Sequence, residues 1–291
     1  MNQAIAGSSA SLKRNWFLRQ RYLILRRLAQ FGLLALFLAG PWYGYWILKG
    51  NLASSIFLDA IAFTDPYIYL QSIIGGHKMG RLAAIGAATI LVFYLVLGGR
   101  AYCSWVCPIN VVTDVAFWLR NKLGLNLSWQ PKKNIRHWLL LMTLVVSTLT
   151  STIAWEVVNP ITMLQRGLVF GMGVAWAIVF AVFLFDLFVS RRGWCSHLCP
   201  VGAFYGIVGK FSLVRVSAIE RTSCTDCGDC FRVCPEPQVI TMPLQGAKMG
   251  VGPLILSGDC TNCGRCIDVC DEDVFHFATR FEGQLRKYPG V

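Results

Sequence analysis

Eight of the twelve cysteines lie in two closely spaced runs near the carboxyl end of the chain. The runs are Cys224-x2-Cys227-x2-Cys230-x3-Cys234-Pro235 and Cys260-x2-Cys263-x2-Cys266-x3-Cys270. In bacterial ferredoxins this spacing lets three cysteines hold one [4Fe–4S] cluster while the fourth crosses to the other. The first ferredoxin set is therefore predicted to be Cys224, Cys227, Cys230 and Cys270. The second ferredoxin set is predicted to be Cys260, Cys263, Cys266 and Cys234. The alternative is zinc, which CxxC pairs also bind, although a zinc site needs two such pairs rather than two runs of four.

The other four cysteines lie in two copies of a different motif. Both copies read Arg-x-x-Cys-Ser-x-x-Cys-Pro, one from Arg100 to Pro108 and one from Arg192 to Pro200. We call their cysteines the Cys-x3-Cys set: Cys103, Cys107, Cys195 and Cys199. Cysteines four apart share one face of a helix, and a neighbouring arginine favours the thiolate. These four predict a redox or metal-ligating centre, and four thiolates could hold a third cluster. The alternative is that they pack as small apolar side chains.

A second pair of matching segments shows that the middle of the chain is duplicated. Asp65-Pro66 through Gln71 matches Asn159-Pro160 through Gln165, at an offset two residues larger than that of the cysteine motifs. Two motifs repeated in the same order predict parallel repeats related by a pseudo-two-fold axis along the membrane normal. Such symmetry could bring the two cysteine pairs together. The repeated glutamines are predicted either to face a quinone or, with the Asx-Pro dipeptides, to form turns and caps.

The composition is that of a membrane protein, because 55% of the residues are hydrophobic and only 14% are charged. Uncharged apolar runs fill 31–48, 82–99, 138–155 and 167–185. Each has nearly the roughly 20 residues that a membrane-spanning helix needs, and bare backbone in lipid must be helical. We therefore predict four transmembrane helices.

Basic residues indicate how these helices are oriented. Arginine and lysine cluster before the first run, between the second and third, and after the fourth. The positive-inside rule then places both termini in the cytoplasm of a bacterial inner-membrane protein. The net charge of +12 is mostly explained by these clusters, so nucleic acid is not expected as a partner.

The predicted architecture is a membrane α-helical protein joined to a small α+β ferredoxin domain. We expect a basic cytoplasmic segment at 1–30, a four-helix membrane domain of two parallel pseudo-repeats at 31–214, and a two-cluster ferredoxin domain at 215–291. Two residues outside the cysteine sets are weaker candidates. Asp186 is predicted either to pair at the interface or to act in function, and His197 could transfer protons.

Four spans, two Cys-x3-Cys-Pro motifs and a carboxyl-terminal two-cluster domain together resemble the NapH family. These are membrane ferredoxin-type components of periplasmic nitrate reductase systems. The resemblance covers essentially the whole chain. It implies a quinol dehydrogenase component that takes electrons from quinol. A periplasmic NapG-type iron–sulfur partner and cytochromes would then carry the electrons toward nitrate reductase.

Two other classes of function remain open. The chain could be a maturation, assembly or regulatory membrane protein for another periplasmic or respiratory metalloenzyme. It could also be a membrane anchor in which the clusters are structural. Whether it counts as an enzyme in its own right is not decided by the sequence.

Overall fold

The computed structural model describes residues 15–125, 129, 131–171 and 173–282. The first repeat begins with the 28-residue helix α1 (Trp16–Tyr43), which ends where Gly44 adopts a left-handed conformation (φ 79°). Three short strands follow in an antiparallel sheet of order β1-β2-β3: β1 (Leu48–Gly50), β2 (Ser54–Phe57) and β3 (Ile61–Thr64). The repeat continues with α2 (Pro66–Ile74), α3 (Arg81–Leu97), a π-helical turn (Tyr102–Val106) and α4 (Ile109–Lys122). The sheet was not predicted from the sequence.

The second repeat has the same order of helices without the sheet among its described residues. It comprises α5 (Asn134–Thr150), a 3₁₀ turn (Ala154–Val157), α6 (Pro160–Phe170), α7 (Val174–Leu184) with a π-helical extension (Phe185–Val189), a π-helical turn (Trp194–Leu198) and α8 (Pro200–Gly209). The equivalent elements support the duplication inferred from the two motifs.

The carboxyl-terminal part is a separate packing unit. Its elements are β4 (Val214–Ser217), α9 (Asp229–Val233), α10 (Gln238–Gln245), α11 (Arg265–Val269) and β5 (His276–Thr279). Strands β4 and β5 pair antiparallel, with Val216 opposite Phe277. The buried side chains form two clusters, one in the helical repeats and one around these strands, as a helical domain plus a ferredoxin-type α+β domain requires.

The predicted spans differ from the observed helices in position. The run 31–48 belongs to a helix that begins earlier and ends at Tyr43, and the run 138–155 overlaps α5, which ends at Thr150. The run 167–185 was wrong as a single helix, because α6 ends at Phe170 and α7 begins at Val174. Gly171 has a φ of 93°, which a helix cannot contain.

Among the described residues, only α1 is both long and apolar enough to cross a membrane by length and composition. The apolar helices Arg81–Leu97, Ala175–Val189 and Pro200–Gly209 are shorter. The two ends of the chain, 1–14 and 283–291, lie outside the described residues. They include Lys13 and Arg14 of the predicted basic segment and the end of the predicted ferredoxin domain.

Candidate metal centres

The two ferredoxin runs fold into matching loops. In the first loop Asp226 and Gly228 have left-handed φ values of 53° and 77°, and in the second Asn262 and Gly264 have φ values of 46° and 72°. The glycines directly precede the short helices α9 and α11, which carry the third cysteine of each run. Left-handed residues turn the backbone tightly, so three cysteines of each run can face one small volume.

The fourth cysteine of each run lies with the other run, as the predicted ligand sets require. The pKa of Cys230 is raised to about 12, chiefly by burial and then by the charges of Cys224, Cys227 and Cys270. The pKa of Cys266 is raised by burial and then by Cys263, Cys234 and Cys260. The second set also lines a common cavity. The structure therefore groups the eight thiols as the crossed pattern predicts, while their role as ligands stays a prediction.

The four cysteines of the Cys-x3-Cys set line one cavity, although Cys103 and Cys199 are nearly a hundred residues apart in the chain. The walls between them are apolar and aromatic and include Tyr102 and Trp194. Convergence of the two motifs follows from the pseudo-symmetry of the repeats. The helical spacing predicted for each pair was wrong in detail, because each motif forms a π-helical turn. The amide of Cys107 donates to the carbonyl of Tyr102 (3.0 Å), and that of Cys199 to the carbonyl of Trp194 (2.9 Å).

These arrangements suit a group larger than one ion. Within the described part of the chain, no three His, Cys, Asp or Glu side chains are grouped so as to hold a single metal ion. A tetrahedral zinc site needs four donors about 2.3 Å from one point. The choice between clusters and zinc therefore rests on the ferredoxin spacing of the two runs.

Buried arginines near the Cys-x3-Cys set test whether the site suits an anionic metal–thiolate group. Arg100 is 1% exposed and donates to the carbonyl of Cys195 (3.0 Å) and to Glu236 (2.9 Å). Burial raises the pKa of the Cys103 thiol, while Arg100 and Arg136 lower it. The Nε atoms of Arg100, Arg136 and Arg192 are buried and have no hydrogen-bond partner among the described residues. The positive charges of Arg100 and Arg136 near Cys103 would favour an anionic metal–thiolate group there.

Two buried arginines, Arg26 and Arg136, make equivalent contacts to the two cysteine motifs. Arg26 of α1 donates to the carbonyl of Ser104 (2.9 Å), and Arg136 of α5 donates to the carbonyl of Ser196 (3.2 Å). Ser104 and Ser196 occupy equivalent motif positions. Sequence reasoning had counted these arginines only as signals of topology. Their common position before an apolar run in each repeat was the signal that could have identified them.

Acidic residues that the sequence analysis had not selected neutralise the arginines. Asp114 of α4 pairs with Arg192 (2.8 Å), Arg27 and Arg26. In the ferredoxin-type domain, Glu236 pairs with Arg100 and Lys133, and Asp259 pairs with Arg136. Burial raises the pKa of Asp114 and of Glu236, but the adjacent cations outweigh it and hold both below their usual values. Both carboxylates therefore stay charged at neutral pH.

The repeated Asx-Pro segments have a capping role. The side chain of Asp65 accepts from the amide of Tyr67 (2.8 Å), and that of Asn159 from the amide of Ile161 (3.1 Å). Gln71 accepts from the amide of Trp155 (3.2 Å), and Gln165 accepts from the amide of Leu52 (3.1 Å). These bonds support the turn-and-cap interpretation of the two repeated segments over a direct role toward quinone.

The two weaker candidates lie at the second motif. Asp186 is fully buried and accepts from the amide of Trp194 (3.0 Å), so it orients the turn that carries Cys195. His197 is 7% exposed and its Nδ1 has no hydrogen-bond partner in the described part of the chain. The structure therefore gives Asp186 a local structural contact and leaves the proton-transfer role of His197 a prediction.

Comparisons with known proteins agree with this organisation. A family model described as a 4Fe-4S binding domain matches twice, over residues 80–126 and 172–217, so each match includes one Cys-x3-Cys motif. A model described as a 4Fe-4S dicluster domain matches residues 223–274.

Three relatives are similar over nearly their whole length. The methylamine utilization ferredoxin-type protein MauN of Paracoccus denitrificans is 56% identical, over 93% of this chain and 95% of the relative. MauN of Methylorubrum extorquens is 55% identical over 88% of both chains. The ferredoxin-type protein NapH of Escherichia coli is 47% identical over 95% of this chain and 96% of the relative. No solved structure matches the chain.

Proposed function

The chain belongs to the family of NapH and MauN ferredoxin-type proteins, and on that premise we propose that it is the membrane component of a quinol dehydrogenase. Oxidation of one quinol releases two electrons and two protons. The Cys-x3-Cys set and the ferredoxin sets would together carry these electrons within the chain. A [4Fe–4S] cluster, when bound, supplies a one-electron carrier. The destination would be a periplasmic NapG-type iron–sulfur protein, cytochromes and nitrate reductase.

The observation that carries this proposal is the single cavity lined by Cys103, Cys107, Cys195 and Cys199. Four thiols from two repeats, with the buried Arg100 near Cys195, would provide a ligand set for such a centre. It lies within the helical repeats, and Arg100 links it to the ferredoxin-type domain by contacting both Cys195 and Glu236. We propose that this set holds a third cluster beside the two ferredoxin clusters.

Side-chain exposure supports four membrane spans in two parallel repeats. Large apolar side chains point outward from α3, α5 and α7, among them Leu82, Phe93, Leu149 and Phe180. Soluble proteins rarely expose contiguous apolar surface of this kind. We propose that α1, α3, α5 and the Ala175–Val189 segment cross the inner membrane, with lipid around them and both termini in the cytoplasm.

Iron analysis of the anaerobically purified protein tests the third centre. We expect about twelve non-haem irons per chain, which is three clusters of four. Replacing Cys103, Cys107, Cys195 or Cys199 by Ser should lower the iron toward eight, leave both ferredoxin signals in electron paramagnetic resonance spectra, and abolish quinol-dependent reduction of the acceptor in membranes. Thr89→Ala is the control: it keeps all twelve cysteines, and the hydroxyl of the exposed Thr89 donates to the carbonyl of Ile85 within α3 (2.9 Å). Eight irons in the unaltered protein, or normal activity in all four variants, would show that these cysteines are packing residues.

The MauN relatives favour a second destination. Their names assign them to methylamine utilization, and two of them share 56% and 55% identity with this chain. The same electron-transfer core, or a maturation role, would then serve a methylamine-oxidising system. Deleting the gene distinguishes the two, because growth on methylamine or respiration of nitrate, but not both, should fail.

A further inference from the structure

The equivalent arginines of the two cysteine motifs reach the same part of the ferredoxin-type domain. Arg100 donates to the carbonyl of Asp259 (3.0 Å), which directly precedes Cys260. Arg192 donates to the carbonyl of Val233 (3.3 Å), which directly precedes Cys234. Both cysteines belong to the second ferredoxin set, although they lie in different runs. Each repeat therefore contacts the residue that precedes a cysteine of this set.

The first cysteine motif also contacts the second set through its own side chains. The hydroxyl of Ser104 donates to the carbonyl of Thr261 (2.8 Å), and Nε1 of Trp105 donates to the carbonyl of Asn262 (3.1 Å). Thr261 and Asn262 are the two residues between Cys260 and Cys263. Residues that lie between Cys103 and Cys107 therefore touch the loop between two cysteines of the second set.

Backbone atoms make this contact close and rigid. A Cβ on Gly258 would overlap the carbonyl oxygen of Gly206 in α8. The side-chain amide of Asn262 donates to the carbonyl of Leu97 at the end of α3 (2.9 Å). With no side chains between the two backbones, the domains have little freedom to separate at the second set.

The first ferredoxin set has a different environment. Asp229, which precedes Cys230, forms an ion pair with Arg19 near the start of α1 (3.6 Å). Three of the four cysteines in this set are partly exposed, and the residue before Cys230 is joined to α1 rather than to a cysteine motif.

We infer that the second ferredoxin set is the one coupled to the Cys-x3-Cys set, and that Arg100 and Arg192 are the positioning residues that hold the two sets at a constant separation. The first ferredoxin set is then the end of the relay that the second set separates from the Cys-x3-Cys motifs. Electron tunnelling falls steeply with distance, so a fixed separation is what such a relay requires. Because both arginines carry a permanent charge beside cysteines of the second set, they also stabilise its reduced state. This inference rests on the proposed third centre.

Redox titration followed by electron paramagnetic resonance tests the inference. Cys234→Ser and Cys270→Ser identify the signals of the second and first sets. We expect Arg100→Gln and Arg192→Gln to move the midpoint potential of the second set to more negative values and to weaken its magnetic interaction with the third centre. Glu236→Gln, which removes a buried negative charge, should move that potential the opposite way. The potential of the first set should stay unchanged in all three variants.

Arg120→Gln is the matched control. Arg120 is 3% exposed and donates to the carbonyl of Leu187 (2.8 Å), so it is equally buried but contacts only the helical repeats among its described partners. An equal shift in both sets, or the same shift in Arg120→Gln, would overturn the inference. If Arg100→Gln cannot be purified, Arg192→Gln and Glu236→Gln decide the outcome by their opposite signs.

The result separates this inference from the proposed function. A count of eight irons would defeat the third centre and with it the coupling. Twelve irons with a magnetic interaction between the third centre and the first set, rather than the second, would defeat only the order inferred here.

Discussion

Asp114 is the shared carboxylate partner of three arginines. Its side chain is 15% exposed and pairs with Arg192, Arg26 and Arg27. Asp114→Asn should lower the free energy of unfolding by about 3–5 kcal/mol, because removing one partner leaves buried charge without compensation. Asp59→Asn is the control, since Asp59 is 66% exposed, pairs with Lys49 and should cost at most about 1 kcal/mol. Denaturation of the purified proteins in detergent measures both.

The pH dependence of this effect has a definite sign. The pKa of Asp114 is lowered in the folded protein, since the arginines outweigh the effect of burial. Its contribution is therefore complete above the unfolded value of about 3.9 and is lost as the pH falls through the lower folded value. The difference in stability between the unaltered protein and Asp114→Asn should be constant from pH 7 to 5 and shrink below about pH 4. A difference that grows on acidification would contradict the assignment.

At the scale of elements, the end of α3 packs directly on α8. A Cβ on Gly99 would overlap the carbonyl oxygen of Tyr205 and the backbone of Gly209. Neither backbone can move without displacing a cysteine motif. Gly99→Ala should therefore lower the free energy of unfolding by about 1–3 kcal/mol and reduce the iron content of the protein.

Gly32→Ala is the control for that packing contact. Gly32 lies within α1 and has no atom within 4 Å of an added Cβ, so alanine should be neutral or stabilise the helix by up to about 1 kcal/mol. Thermal unfolding and iron analysis measure both variants. Equal melting temperatures would show that the two helices do not pack as described.

At the scale of the whole molecule, the proposed topology predicts the location of each connecting segment. Reporter fusions after residues 60, 125, 160 and 215 should report outside, inside, outside and inside. The physical reason is the excess of basic residues on the segments predicted to be cytoplasmic. Each fusion carries its own control, since a periplasmic and a cytoplasmic reporter must give opposite results. An outside signal at 215 would move the ferredoxin-type domain to the periplasmic side.

The sequence alone determined the family and the ferredoxin-type domain, and both are confirmed by the relatives and the family models. Those inferences rested on short-range spacing, such as the two residues between Cys260 and Cys263, which directly restricts what a loop can bind. The repeated motifs also predicted that Cys103 and Cys195 would converge, since duplicated units tend to pack symmetrically.

Only the tertiary structure decided which charges meet and where the helices break. Arg100 and Glu236 are 136 positions apart, and nothing in either local sequence marks them as partners. The break at Gly171 depends on a backbone conformation that an apolar run does not reveal. Contacts between distant segments are selected by packing and desolvation of the whole fold, so the arginines and acids around the cysteine sets became visible only there.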